Sequence, residues 1–183
     1  MNNLALFIDA SLNPLLKCGV GGYLVVPASF LEVPPAGLER SDVAERLMLR
    51  KFADTSSSKL EVQTVLWALE DYQNQLKASG PGKLLVYTDS QCVAGLLKRR
   101  PGLVANSFLS KKTDSLIRNA PLYLRFYELF DELGFEVIKV AGHSRSYSHD
   151  TVHRIFSFID REVRKALTLW MGEFEVGIIQ PIQ

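Results

Sequence analysis

Cysteine is scarce in this chain. Cys18 and Cys92 are the only two in 183 residues, and they form neither a framework of pairs nor a metal-ligand spacing. That excludes a disulfide scaffold and a zinc–thiolate site, and it leads us to expect free thiols in a reducing cytoplasm. Long apolar runs are missing too: none approaches the ~20 residues of a membrane span. The start, Met1-Asn2-Asn3-Leu4, lacks the basic-then-apolar pattern of a signal peptide. Charge of one sign is not in excess. The net charge of +1 makes the molecule no polycation, so a nucleic-acid role requires a local basic patch. Internal repeats and low-complexity tracts are also absent. What is present, 47% hydrophobic and 22% charged residues, is the make-up of a globular domain long enough for a real core. The expectation is one domain over residues 1–171 and a tail over 172–183 whose apolar stretch, Val176 to Ile179, can dock on the body or on a partner. The oligomeric state is left open, a monomer included.

The hydrophobic pattern predicts a buried strand from Leu4 to Ile8 ending at Asp9. A second, glycine-rich strand runs from Gly19 to Val26, antiparallel to the first, its glycines signalling a bulge or a close backbone approach. Residues 28 to 46 are hard to read; Asp42 to Leu47 is either a helical turn or the approach to a strand. Met48 to Ala53 reads as a third strand. A helix then starts at Ser58, which with Glu61 has capping-box spacing. Its apolar positions Leu60, Val65, Leu66, Leu69, Tyr72 and Leu76 recur at helical intervals. Leu84 to Tyr87 is a strand, and Ser90 caps a helix to about Arg99, broken by Pro101-Gly102. Leu122 to Leu133 is amphipathic and ends at Gly134. Phe135 to Val140 is the last strand, and Thr151 to Trp170 a long helix. Strands first and alternation later predict an α/β fold, a five-stranded mixed sheet flanked by helices.

Acidic residues mark the strand ends. Asp9 follows Phe7-Ile8, and Asp89 follows Leu84 to Thr88. An unpaired carboxylate in a buried strand is costly. Each Asp taken alone has an ordinary explanation: Asp9 as the cap of the turn at Asn13, Asp89 as a helix cap. If their strands are adjacent, the two like charges raise each other's pKa unless a cation intervenes. Glu61, in a first helical turn, either closes its capping box or points toward the same strand ends. His143 sits in a polar loop and, titrating near neutrality, suits a proton shuttle. Asp150 and His153 are one helical turn apart and share a face; helix capping by Asp150 with a surface His153 is the competing reading. Asp160 is expected to be solvated or salt-bridged. The stretch from Lys98 to Arg118 is basic and carries Lys111 and Lys112. It is either a solvated face or a strip that follows phosphates.

Together these segments resemble the type 1 ribonuclease H family over roughly residues 4 to 168. Asp9-Ala10-Ser11 looks like its first-strand motif, with Ala10 where Gly is usual. Gly21-Gly22-Tyr23 resembles its second-strand glycine pair. Thr55 to Ser58 with Leu60-Glu61 resembles the polar turn before its helix glutamate. Tyr87-Thr88-Asp89-Ser90-Gln91 is the most specific match, and Lys139 to His143 resembles the last-strand motif. The departure is the fourth metal ligand: about ten residues past His143, where the family has Asp, stands His153, with Asp150 the competitor. A 3′ exonuclease of the wider superfamily would carry Asp-x-Glu on strand one, and Ser11 stands in place of that Glu.

The resemblance implies a ribonuclease H-like fold and endonucleolytic hydrolysis of the RNA strand of RNA–DNA hybrids, helped by two Mg²⁺ or Mn²⁺ ions. By that likeness Asp9 bridges the metals, Glu61 and Asp89 hold one site, and His153 or Asp150 completes the other. His143 aids proton transfer or product release. Ser56, Ser57, Ser58 and Gln91 lie where the family contacts the hybrid's backbone and minor groove, where the 2′-hydroxyl separates RNA from DNA. Ser11, Asn13, Lys111 and Lys112 are further candidates for substrate contact. A non-catalytic hybrid-binding module of the same fold is the rival.

Overall fold

β1 (Leu4–Asn13) and β2 (Cys18–Pro27) form a long antiparallel hairpin, in register from Leu4↔Pro27 to Asn13↔Cys18. Its turn is held by Asn13, whose side-chain oxygen accepts from the Leu15 and Leu16 amides at 3.1 Å each. The computed structural model describes residues 3–75, 82–141 and 150–175. β3 (Met48–Phe52) pairs antiparallel with β2, β4 (Leu84–Thr88) parallel with β1, and β5 (Glu136–Lys139) parallel with β4. The sheet order is therefore β3-β2-β1-β4-β5, the expected five-stranded mixed sheet. β1 is central and apolar on both faces. Leu6 and Ile8 face one core and Ala5 and Phe7 the other, all nearly without solvent exposure.

The first core is covered by α2 (Ser57–Gln75) and α5 (Ala120–Leu133). α5 stops at Gly134 because that residue adopts φ +64°, a conformation that favours glycine. The second core is covered by α6 (Thr151–Glu175), which buries Ile155, Ile159 and Val163 against Phe7, Val20 and Leu24. The segment between β2 and β3, opaque in the sequence, makes two 3₁₀ turns and then α1 (Arg40–Ala44). It docks on α6: Leu38 and Val43 join the second core, Thr151 Oγ1 donates to the Val33 carbonyl at 2.6 Å, and Arg40 pairs with Glu162.

Three expectations change. β1 does not end at Asp9 but continues to Asn13, because its antiparallel pairing outlasts its parallel pairing, which stops at Ile8↔Thr88. The helix after Ser90 is two pieces, α3 (Gln91–Ala94) and α4 (Leu96–Ala105), joined at Gly95. Pro101 lies inside α4 instead of ending it. Its ring is on the exposed side, while Leu96 and Leu103, two turns apart, pack on the core and hold the helix together across the lost backbone bond. α6 runs to Glu175, through the position where the tail is expected to begin; residues 176–183 lie outside the described residues.

The glycines of β2 set how closely the helices approach. A Cβ on Gly21 would fall 2.2 Å from Thr64 Oγ1 of α2, and one on Gly22 would fall 2.7 Å from Val163 Cγ2 of α6. Both helices carry residues of the cleft described next, so these contacts fix its width. We expect Gly22→Ala to cost about 1–3 kcal/mol through overpacking, read as a fall in Tm of roughly 2–4 °C per kcal/mol. An unchanged Tm would show that α6 shifts freely on the sheet.

Candidate active site

The parallel pairing of β1 with β4 ends at Ile8↔Thr88, which leaves Asp9 and Asp89 as the next residues along adjacent strands. A cleft of about 150 Å³ opens there, and Asp9, Glu61, Asp89 and Asp160 all line it. Ser11, Thr64, Ser90 and Arg164 complete its polar wall. Four elements thus converge: β1 supplies Asp9, β4 leads into Asp89, the first turns of α2 supply Glu61, and the middle of α6 supplies Asp160.

Asp9 is the electrostatic centre. Its pKa is pushed up to about 7, first by burial and next by the charge of Asp89, with a smaller upward push from Asp160. The Ala10 amide, which donates to Asp9 Oδ1 at 2.7 Å, and the Arg164 charge work the other way. Neither Asp is the local cap. Asn13 holds the hairpin turn, and Ser90 caps α3 by accepting from the Val93 amide at 3.1 Å. Glu61 is not engaged in a capping box with Ser58 either. Its carboxylate accepts from Ser57 Oγ at 3.3 Å and from Ser90 Oγ at 2.5 Å, which ties the start of α2 to the end of β4.

For the fourth position the sequence names His153 or Asp150, and both lie at the start of α6. Asp150 caps α6, its Oδ1 accepting from the Val152 amide at 2.6 Å and the His153 amide at 3.2 Å. Its Oδ2 lies 2.8 Å from His153 Nδ1. Burial tends to raise the Asp150 pKa, but the His153 side-chain bond and the two amides together hold it below the usual carboxylate range. Neither Asp150 nor His153 lines the cleft; the α6 acid that does is Asp160, seven residues on from His153 and so two turns along the same face. Asp160 is salt-bridged as expected, Arg164 Nε donating to its Oδ1 at 2.7 Å, but the pair is part of the cleft. A ten-residue count from His143 reaches the first turn of α6, whereas Asp160 stands in its middle, an acid ending the largely apolar run from Ile155 to Ile159.

Of the remaining candidates, Ser11 lines the cleft and Asn13 belongs to the hairpin turn. Ser56 and Ser57 begin α2, Ser56 through its carbonyl, which accepts the Leu60 amide at 2.7 Å. Ser58 and Gln91 line a second, basic hollow with Lys98, Arg99, Cys92 and Tyr123. Arg99 lies over the Tyr123 ring at 5.4 Å and donates to the Cys92 carbonyl at 2.9 Å. Lys111 and Lys112 are exposed on the loop between α4 and α5. His143 lies outside the described residues.

The donor set is four carboxylates and hydroxyls, hard oxygen ligands that suit Mg²⁺ or Mn²⁺. Among the described residues, no three His, Cys, Asp or Glu side chains already form a metal-ligand cluster. Two of the acids are already engaged: Glu61 with Ser90, and Asp160 with Arg164. A cation held by these acids would compete with both bonds.

No protein-family model matches the sequence, and no curated protein matches it. Among solved structures, the chain is similar to one in the structure of the foamy viral protease-reverse transcriptase in complex with dsDNA. The TM-score is 0.55 at 13% identity, covering 88% of this chain and 93% of that one. Likeness at that identity is likeness of fold. The five-stranded mixed sheet with flanking helices is the ribonuclease H-like fold that the sequence resemblance implied. Among the described residues, no helix is long and apolar enough to cross a membrane.

Proposed function

We propose that this protein is a metal-dependent endonuclease that hydrolyses the RNA strand of RNA–DNA hybrids, with Asp9, Glu61, Asp89 and Asp160 as its acidic set. The observation that carries the reading is the convergence of four carboxylates from β1, α2, β4 and α6 on one cleft, with the central one pushed toward protonation by burial and then by its acidic neighbours. A similar fold in a protein–DNA complex supports a nucleic-acid substrate. Two bound Mg²⁺ or Mn²⁺ ions would supply water activation and charge neutralisation at the leaving 3′ oxygen. Asp9, Glu61, Asp89 and Asp160 would be the residues that hold these ions, with Asp9 the central ligand. Ser11, Ser58 and Gln91 offer neutral hydrogen bonds toward a sugar–phosphate backbone, and Lys98, Arg99, Lys111 and Lys112 offer charge along its path. His143 is proposed to move a proton to the departing product.

The test is cleavage of an end-labelled hybrid in Mg²⁺ and, separately, in Mn²⁺. We expect cuts in the RNA strand leaving 5′-phosphates, with none in duplex DNA, and loss of cutting in Asp89→Asn. A second reading is favoured by one observation, the Arg164 side chain already paired to Asp160 inside the cleft. A resident cation there suits a module that binds hybrids without cutting them. Tight hybrid binding without cleavage in either metal would select that reading.

A further inference from the structure

Among the described residues, the cleft is lined by one cationic side chain, Arg164, and four acids. Arg164 and Asp160 are one turn apart on α6, so a single helix presents a carboxylate and its counter-ion together. Such a pair on an open helix face contributes little to stability. Here it occupies a functional group. The Asp160 oxygen that accepts from Arg164 Nε at 2.7 Å is not available to a divalent ion while the bond lasts. The charge of Arg164 also reaches Asp9, where it opposes the upward push of Asp89 and Asp160.

We propose that Arg164 is the resident counter-ion of the cleft and competes with a divalent cation for Asp160. Loading of the metal position next to Asp160 and the Asp160–Arg164 ion pair then weaken one another. Released by the metal, the guanidinium has a fork of donors matched to a phosphate, the group that a nucleic-acid substrate brings to the same cleft. Arg164 is a positioning residue in this scheme: it keeps the cleft closer to neutrality when empty and exchanges its carboxylate for a phosphate when metal and substrate arrive. The scheme rests on the acids binding divalent ions, as proposed above, and the experiment separates the two claims.

Mn²⁺ binding is measured on the free protein by electron paramagnetic resonance, which needs no substrate and no activity. The proteins are the parent, Arg164→Gln, Arg164→Lys, Asp160→Asn and the Asp160→Asn/Arg164→Gln double variant. Arg164 is exposed on a helix, and Gln and Lys are good helix formers, so folding is preserved. Removing a competing charge from the site is expected to tighten Mn²⁺ about tenfold in Arg164→Gln, with Lys restoring the parent value within a few-fold. Asp160→Asn is expected to erase the difference between Arg and Gln at position 164. In hybrid cleavage, Arg164→Gln should lower the Mn²⁺ needed for half-maximal rate and raise KM. If the parent binds Mn²⁺ and Arg164→Gln binds it equally well, the competition is overturned and the nuclease reading survives. If the parent binds none but Arg164→Gln does, the competition stands and the parent is the non-cutting module. If neither binds Mn²⁺, both claims fall.

Discussion

An Asp9→Asn variant is expected to be inactive on hybrids and yet more stable than the parent at pH 8 in the presence of a chelator. The two effects share one cause. Asp9 is largely withdrawn from water and sits beside like charges, so its pKa is pushed up to about 7 in the folded chain against 3.8 for the free group. Between those values the folded protein holds a proton that the unfolded chain has released. The stability slope with pH is therefore negative there: the contribution is fully present below about pH 4 and lost as pH rises through 7. Complete ionisation costs up to about 4 kcal/mol by this linkage, an upper bound because the cleft is open to water. Asn keeps the shape and removes the charge. Relative to the variant, the parent should lose Tm steadily from pH 5 to pH 8 in chelator and recover it on addition of Mg²⁺ or Mn²⁺. A parent–variant difference that is the same at pH 5 and pH 8 would contradict the raised pKa. Loss of the shared central ligand should lower cleavage by about 10³-fold or more, on the scale seen when preorganised charge stabilisation is removed.

The second large effect concerns α6. Asp160→Asn should reduce cleavage by about 10²–10³-fold, whereas His153→Ala should leave the rate within a few-fold of the parent. Asp150→Asn keeps a capping side chain and should do the same; Asp150→Ala, which removes the cap, should lower Tm by an amount matching about 1 kcal/mol. Steady-state cleavage of one labelled hybrid by all four variants decides the matter. A collapse of activity in His153→Ala with normal activity in Asp160→Asn would return the fourth ligand to the first turn of α6.

Much of this architecture was legible in the residues because period and punctuation agreed. β1, β2 and β4 announced themselves through short β-rich runs bounded by Asp, Gly and Pro, and α5 through its amphipathic pattern and Gly134. Asp9, Glu61 and Asp89 stand out in the sequence because each follows or opens a strongly patterned element, and the fold brings all three to one cleft. What escaped was what depends on tertiary pairing. That β1 outruns Asp9 is a property of its partner β2, not of the residues around Asp9. Pro101 was read as a breaker because propensity acts locally, whereas the packing of Leu96 and Leu103 acts across two turns. That Asp160 shares the cleft is not legible from a residue count across a loop, since loop length is weakly constrained by the fold. The direction of Glu61 was likewise invisible, since its Ser90 partner is 29 positions away in sequence.

The docking of the β2–β3 segment on α6 has a consequence for how the molecule is made. During synthesis from the N-terminus, Phe7, Val20 and Leu24 are assembled into the hairpin long before the helix that covers them exists. Until α6 leaves the ribosome, one side of the central strand is a bare apolar surface, a natural substrate for a holdase chaperone. The same late element brings Asp160. On the nuclease reading proposed above, competence for chemistry and burial of the second core would arrive in one step, and a stalled nascent chain would be sticky and inert together.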